Sequence, residues 1–319
     1  MRISSFSAFS LAILALVLAG VGCSKRPIAG ISIDPAFTSL IPSDTKVLAG
    51  IRADQLKASP FYKRHEKQLD IPLVDAFSER VGLDPRRDLS DLLVAWNGKQ
   101  PVFMARGRFT QSELEQKLRS FGARSTTYKK YVLFGTQTES LVFIKKGIAI
   151  AGSSDTLHRE IDIRDEDSGG APDELKQRLG TLPKQDQIWA VSREGLPFAE
   201  VPMRSDIGSA LSNIVSYVRG TSVGIGLDTG THLQVEITCV SGEGAQRVRD
   251  ALRGGIGLAR LTTKDNEQNL LKLYDSIDVT QDQQTVHVRA DLSGDLTDEL
   301  LEKVPQLRMR AGEVFPNQQ

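Results

Sequence analysis

The sequence predicts an α+β protein with two related halves, each an antiparallel or mixed sheet with helices on one face. Two observations predict this class. Short segments of alternating apolar and polar residues, such as TVHVRADL, recur between turn residues and are typical of half-buried strands. Segments with apolar residues every three or four positions, such as TQSELEQKLRSFG, indicate surface helices. Hairpins with helices inserted between them favour a sheet covered by helices.

The first half covers residues 44–164 and begins with a strand in TKVLAGI. A helical region follows to Gly82, in which apolar residues at four-residue spacing share one face: Leu73, Phe77 and Val81. DLLVAWNGKQPVFMARGRF predicts a hairpin turned at Asn97-Gly98, because this pair tolerates positive φ angles. The next helix has a capping box at Thr110–Glu113 and ends at Gly122. Three strands and the helical segment SSDTLHREIDI complete this half.

The second half, residues 186–319, repeats this order of elements. QIWAVS predicts a strand, and SDIGSALSNIVSYVRG predicts a helix that ends at Gly220. A hairpin turned near Asp228 and the helix SGEGAQRVRDALRG follow, and two more strands precede a last helix in DLTDELLEKV. Each half resembles the split β-α-β-β-α-β order of ferredoxin-like folds, which implies a duplicated unit. Residues 165–185 are predicted to link the halves through a short helix with Leu175 and Leu179 inward.

Residues 1–22 have the layout of a secretory signal peptide. Arg2 is the only charge before an apolar run from Leu11 to Val21, and small residues lead to Cys23. The run is shorter than the roughly 20 residues that cross a bilayer, so a permanent transmembrane helix is not expected. Residues 23–43 contain prolines and show no helical period. They are predicted to form a tether between the membrane and the folded body.

The four residues Gly20-Val21-Gly22-Cys23 resemble the lipobox of bacterial lipoproteins, with Gly20 standing where leucine is usual. In that family the cysteine receives diacylglycerol and becomes the new N-terminus. The resemblance therefore implies a lipid anchor on Cys23, and Ser24 after it, in place of aspartate, permits transport to the outer membrane in that family. The body is similar to uncharacterised bacterial envelope lipoproteins with repeated α+β units. The alternative is an ordinary signal peptide, cleaved after Ala19 or Gly22.

Charge and cysteine content narrow the classes of function. The 40 basic residues balance 40 acidic residues, whereas a nucleic-acid binder would show a basic excess, so no nucleic-acid partner is expected. The chain has two cysteines, and lipidation of Cys23 would leave Cys239 unpaired. Cys239 lies among alternating apolar residues and is predicted to be a buried, inert thiol.

Motifs for catalysis and metal binding are missing from the sequence. The four histidines stand far apart, and none has a second histidine or a cysteine at metal-ligand spacing. The chain contains neither a G-x-S-x-G nucleophile motif nor a phosphate-binding G-x-x-x-x-G-K-[ST] loop. The acidic stretch RDEDSGG lacks the ligand spacing of a calcium loop. No metal and no cofactor are expected.

Two groups of polar residues are candidate binding sites. Glu236 in THLQVEIT, with His287 and Arg289 in TVHVRADL, alternates with apolar residues and is predicted to project from the sheet face opposite the helices. Arg86 and Arg87 in GLDPRRDLSDL would suit an anionic group, because guanidinium groups match carboxylates and phosphates. The structural alternatives are a solvated sheet face for the first group and a capped connector for the second.

The sequence therefore predicts an exported, lipid-anchored envelope protein that acts by binding or assembly rather than catalysis. Its expected partners are the membrane and an envelope protein. Two alternatives stay open: a periplasmic carrier of an apolar ligand, and a periplasmic hydrolase whose serine, histidine and aspartate converge only in space. A serine or cysteine hydrogen-bonded to a histidine would favour the hydrolase. A closed apolar cavity would favour the carrier, and a broad sheet face would favour partner binding.

Overall fold

A computed structural model of the chain describes residues 30–66, 84–120, 122–195 and 214–302. The strands are β1 (Val47–Ile51), β2 (Leu89–Trp96), β3 (Pro101–Gly107), β4 (Arg124–Tyr128), β5 (Tyr131–Gly135), β6 (Ser140–Lys145), β7 (Ile148–Gly152), β8 (Ile188–Ser192), β9 (Val218–Leu227), β10 (Thr231–Cys239), β11 (Ile277–Asp282) and β12 (Thr285–Leu292). The helices are α1 (Pro35–Thr38), α2 (Ala53–Ala58), α3 (Pro60–His65), α4 (Pro85–Asp88), α5 (Gln111–Ser120), α6 (Ser154–Asp165), α7 (Asp173–Thr181), α8 (Gly242–Thr262) and α9 (Gln268–Asp275). Residues 294–302 are helical as well.

The strands form one antiparallel sheet of twelve, in the order β11-β12-β10-β9-β8-β1-β2-β3-β7-β6-β5-β4. The two predicted halves share this sheet, because β1 pairs with β8 and places Gly50 opposite Trp189. The order is similar on both sides of that pair, with β1-β2-β3 on one side and β8-β9-β10 on the other. The first two strands of each half are neighbours, so the structure does not confirm the split ferredoxin-like order.

Helices cover both faces of the sheet, and the predicted restriction to one face is wrong. The first face carries Leu48, Met104 and Ile150, which pack with α1, α6 and α7 in the largest core. The second face carries two smaller cores, one with Phe143 beneath α5 and one with Val286 beneath α8. The physical reason lies in runs such as IAIAG of β7, which are apolar at consecutive positions and therefore bury both faces.

The folded body begins earlier than the sequence indicates. Residues 30–43, which were assigned to the tether, pack into the first-face core, and Leu40 and Ile41 are completely buried. The backbone N–H of Ile31 donates to the carbonyl of Leu179 at 3.0 Å. Asp34 caps the short helix α1 by accepting from the N–H of Ala36. Any tether is therefore shorter than predicted and lies N-terminal to this segment.

Several local predictions are confirmed, and one helix boundary is wrong. Leu175 and Leu179 of α7 are buried as expected, and Gly98 adopts a φ of 93° in the β2–β3 turn. The helix expected to end at Gly220 is wrong at its end, because residues 218–220 belong to β9. The helical region with Leu73, Phe77 and Val81 lies outside the described residues. Among the described helices, none combines the length and the apolar character needed to cross a bilayer.

Candidate functional site

The predicted polar residues of the second half come together on the first face of the sheet. We define the polar surface as Gln234 and Glu236 of β10 with His287 and Arg289 of β12. Strand pairing places Glu236 opposite His287 and Gln234 opposite Arg289. The Nδ1 atom of His287 lies 3.6 Å from Oε1 of Glu236. The structure therefore brings Glu236, His287 and Arg289 together on two neighbouring strands, and their role as a binding surface stays a prediction.

The end of α7 and the loop after it lie beside the polar surface. We call residues 178–186 the wall. The hydroxyl of Thr181 donates to Oε2 of Glu236 at 2.8 Å, and the amide of Gln234 donates to its Oε1 at 3.2 Å. Nη1 of Arg178 donates to the hydroxyl of Thr238 at 2.9 Å. Two donors thus hold the Glu236 carboxylate in place, which makes it a fixed acceptor on the sheet.

Glycines in β9 allow this wall to lie directly on the strand. A Cβ atom on Gly220 would stand 2.5 Å from Nη2 of Arg178, and one on Gly224 would stand 2.0 Å from Oδ2 of Asp186. Residues at these positions therefore cannot carry side chains without displacing the wall. Gly224 and Gly226 both lie in β9, whereas Gly255 and Gly257, which share the same G-I-G sequence, lie in helix α8.

This region also concentrates buried polar atoms that lack a hydrogen-bond partner. Eight such side-chain atoms occur among the described residues, and five lie here: Nε of Arg178, both carboxylate oxygens of Asp186, Oγ of Ser222 and Nδ1 of His287. Burial raises the pKa of Asp186 and lowers the pKa of Arg178. Because native proteins pair almost all buried polar atoms, this cluster has unused capacity for water or a ligand.

Sequence reasoning missed the contribution of the wall. Arg178, Asp186 and Ser222 are distant in sequence from the strands β10 and β12 that carry the predicted residues. One signal was available in VRGTSVGIGL, where glycine or serine occupies alternate positions from Gly220 to Gly226. A strand with one face almost free of side chains indicates that another part of the chain approaches it closely.

The geometry around His287 does not support a hydrolase site on the polar surface. Ser222, Glu236 and His287 lie in one row across β9, β10 and β12, with the carboxylate in the middle. Two strand spacings separate serine from histidine, or about 10 Å, so His287 is not positioned to take a proton from Ser222. Among the described residues, no group of three His, Cys, Asp or Glu side chains is placed to hold a metal ion.

The arginine pair of the first half belongs to a capped connector. Nε of Arg86 lies 3.0 Å from Oδ1 of Asp84, and Nε of Arg87 lies 2.6 Å from Oδ1 of Asp88. Asp84 also caps helix α4 by accepting from the N–H of Arg86. Both guanidinium groups line an open cleft of about 780 Å³, but aspartates already accept from them. An anion at this cleft would have to compete with those carboxylates.

A second surface lies on the opposite face at the centre of the sheet. We define the central strip as the apolar side chains that β2, β1, β8 and β9 place side by side on the second face: Leu92, Val94, Ala49, Ile51, Ile188, Ala190, Val223 and Ile225. All are partly exposed, and Phe103 of β3 at the margin is 42% exposed. The described residues around a pocket of about 250 Å³ on this strip are all apolar.

The two cysteines have different outcomes. Cys23 lies outside the described residues, so the expected lipid anchor stays a prediction. Cys239 is completely buried in the core beneath α8, as predicted, and burial raises the pKa of its thiol. A buried thiol with a raised pKa is a poor nucleophile.

Comparison with known proteins gives limited similarity. No protein-family model and no curated protein matches the chain. Among solved structures, crystal forms I, III and IV of TP0453 are similar, with TM-scores of 0.46, 0.47 and 0.48 and sequence identities of 8%, 9% and 10%. The matches cover 86%, 85% and 86% of this chain and 98%, 99% and 97% of the TP0453 chains.

Proposed function

We propose that this chain is an exported envelope protein, held on the outer membrane by lipid on Cys23, that acts by binding or assembly rather than catalysis. The N-terminal sequence supports export and lipidation through the apolar run and the lipobox-like residues before Cys23. We also propose that the folded body arose by duplication of one α+β unit, which gave its two related halves. Similar strand orders on both sides of the β1–β8 pair support a duplicated origin.

The observation that carries the binding function is the central strip. A run of apolar side chains crosses four neighbouring strands, and the described helices of that face, α5 and α8, pack over cores at either end of the sheet. Contiguous apolar surface of this kind marks interaction sites in water-soluble proteins. We propose that the strip receives an apolar segment of another envelope protein.

The binding proposal is tested by photocrosslinking in intact envelopes. A photoreactive amino acid at Phe103, on the margin of the strip, should give one discrete crosslinked product. The same probe at exposed Lys146 in the β6–β7 turn should give none. Phe103→Ser should weaken recovery of the product at a second strip position, Val94, whereas the matched variant Leu261→Ser, at another exposed apolar residue, should not. Equal products at both probe positions would overturn the role of the strip.

The anchor is tested separately by mass and fractionation. The mature protein should begin at Cys23 and carry the mass of a lipid, and Cys23→Ser should release it from the membrane pellet. A protein that stays membrane-bound and unchanged in mass after this substitution would contradict the anchor without affecting the strip.

A carrier of an apolar ligand is the second candidate, because the described lining of the pocket on the strip is apolar throughout. Solvent extraction of the purified protein followed by mass spectrometry distinguishes the two candidates. A carrier should release a stoichiometric apolar molecule, whereas a partner-binding protein should release only the lipid attached to Cys23.

A further inference from the structure

The two edges of the sheet have no further strand beside them among the described residues, and on the β11 edge the carbonyl of Val279 accepts from Nε of Arg253 at 2.9 Å. β4 pairs only with β5 and β11 pairs only with β12, so these strands end the sheet among the described residues. Four of the five residues of β4 are exposed, and β11 alternates exposed Asp278, Thr280 and Asp282 with the less exposed residues Ile277, Val279 and Gln281. An edge strand leaves every second backbone N–H and C=O without a strand partner, and proteins usually block such edges.

We infer that copies of this chain assemble head to tail, with β4 of one copy pairing antiparallel with β11 of the next. The strand number permits this arrangement. Twelve strands that alternate in direction leave the first and the last strand antiparallel to each other. A second copy related mainly by translation would therefore continue the antiparallel order, whereas an odd number of strands would place like directions together.

The backbone hydrogen bonds of the two edges match in one register. β4–β5 and β11–β12 are both two-residue hairpins, closed by Tyr128 with Tyr131 and by Asp282 with Thr285. The closing pair of such a hairpin is hydrogen-bonded, so hydrogen-bonded and outward-facing residues alternate from there. The outward groups belong to Ser125 and Thr127 on β4, and to Ile277, Val279 and Gln281 on β11. Pairing Ser125 with Gln281 and Thr127 with Val279 joins the outward groups of these two pairs, and the N–H of Thr127 then replaces Nε of Arg253 as the donor to the carbonyl of Val279.

The same register pairs opposite charges. It places Arg124 opposite Asp282, and both side chains are exposed without a hydrogen bond or ion pair to another described residue. β4 contains no acidic residue. Antiparallel pairing of two β11 strands about Thr280 would instead set Asp278 against Asp282, and like charges directly opposite are destabilising. The charges therefore favour β4 with β11 over β11 with itself.

The faces of the sheet also stay continuous across this contact. Thr126 lies opposite Leu133 of the first-face core, and Thr280 lies opposite His287 of the polar surface, so both residues project from the first face. The register pairs them with each other. Because the joined patches are different surfaces of the chain, the contact is heterologous and generates open chains of copies unless the rotation closes a ring.

Cysteine crosslinking of the full-length protein in detergent tests this contact. Thr126 and Thr280 would form a non-hydrogen-bonded pair with Cα atoms about 4.5 Å apart, within reach of a disulfide. The double variant Thr126→Cys, Thr280→Cys should give a ladder of oligomers on mild oxidation, and a mixture of the two single variants should give dimers. The parent protein is the control for its own cysteines.

The single variants decide between modes of assembly. Thr126→Cys alone and Thr280→Cys alone should form no disulfide-linked oligomers and should run as single chains on a denaturing gel. Dimers of Thr126→Cys alone, as abundant as those in the mixture, would show pairing of two β4 edges and would overturn the inference. A folded double variant that forms no ladder would overturn it as well. Unchanged thermal unfolding of the variants shows that they are folded.

Charge reversal provides a second test with an internal rescue. Arg124→Glu in the double-cysteine background should lower the yield of crosslinked oligomers about fivefold, since it sets like charges opposite each other. Adding Asp282→Arg should restore the yield, and Lys99→Glu at an exposed turn should not change it. Loss without rescue would contradict the register. This inference specifies the assembly mode of the proposed function, but the crosslinks need neither the lipid nor a partner on the strip. Their failure would leave both of those proposals standing.

Discussion

The first face of the sheet has opposite characters at its two ends. Over β1 to β7 it carries Leu48, Met104 and Ile150, all at most 1% exposed, in a closed apolar core. Over β9 to β12 the same face carries Gly224 of β9 and the polar surface, which includes Glu236. The backbone pairing is antiparallel throughout, so the difference arises from the side chains at alternate positions.

Helix α7 lies at the boundary between the two ends. Leu175 and Leu179 face the closed core, whereas Arg178 reaches across β9 to Thr238 of β10. One helix therefore completes the apolar core on one side and supplies a charged wall on the other. The closed end is expected to supply most of the stability through close packing, and the polar end holds the unpaired hydrogen-bonding groups.

The largest effect is expected in the closed core. Leu157→Ala of α6 removes a completely buried side chain and should lower the free energy of unfolding by about 2–5 kcal/mol. Urea unfolding measures the change. Leu261→Ala, at a residue 82% exposed, should change stability by less than about 0.5 kcal/mol. A loss below about 1 kcal/mol at Leu157 would break the contrast between the two ends.

A buried acid in α6 should make the closed end sensitive to pH. Burial raises the pKa of Glu160 from its ordinary value of 4.5 to about 7, although Arg159 partly opposes this. Between pH 4.5 and pH 7 the folded state binds the proton of Glu160 more tightly than the unfolded state does. The stability that Glu160 contributes through this proton is therefore complete below pH 4.5 and falls as the pH rises toward 7. The fall is about 3 kcal/mol at most, because one pH unit corresponds to about 1.4 kcal/mol.

The substitution Glu160→Gln should remove this slope and raise stability at pH 8. Unfolding free energies measured from pH 4 to pH 9 check the result. Glu139→Gln, at an exposed turn, is the matched control and should leave the slope unchanged. A variant with the same pH profile as the parent would assign the slope to other groups.

A glycine substitution tests how closely the wall lies on β9. Gly224→Ala places a methyl group against the Asp186 carboxylate and should cost about 1–3 kcal/mol through overpacking. Gly254→Ala in α8 meets no atom within 4 Å and should be neutral or stabilise by up to about 1 kcal/mol. The difference between the two variants in thermal unfolding measures the contact. Equal effects would show that the wall stands away from the strand.

The smallest effect is expected on the polar surface itself. Arg289→Ala removes an exposed side chain and should change stability by less than about 0.5 kcal/mol. Denaturant unfolding of the variant checks this value. A loss of more than about 1 kcal/mol in the free energy of unfolding would show that Arg289 stabilises the fold. The polar surface would then contribute to stability as the closed core does.

Local patterns predicted most strands and helices of this protein, and they predicted which side of their strands the residues of the polar surface occupy. Period-two alternation placed Glu236, His287 and Arg289 on one side of their strands, and strand pairing then brought them together. The arginine pair at residues 86 and 87 was recognisable as a capped turn from Asp84-Pro85 and Asp88. These predictions succeed because each depends on residues only a few positions apart.

The contacts that sequence reasoning missed are those that join distant segments. Arg178 and Thr238 are 60 residues apart, and the unpaired carboxylate of Asp186 lies against Gly224 only because the chain between α7 and β8 lies on β9. The pairing of β1 with β8 had no local signal either, since both strands are short and apolar enough to pair with several neighbours.

The sequence by itself determined where strands, hairpins and most helices form, and it determined the alternation that separates apolar from polar side chains. Only the tertiary structure decided that both halves share one sheet, that helices cover both of its faces and that residues 30–43 belong to the core. The physical reason is that periodicity fixes the direction of each side chain relative to its own backbone. The choice of neighbouring strand depends on burial summed over the whole chain.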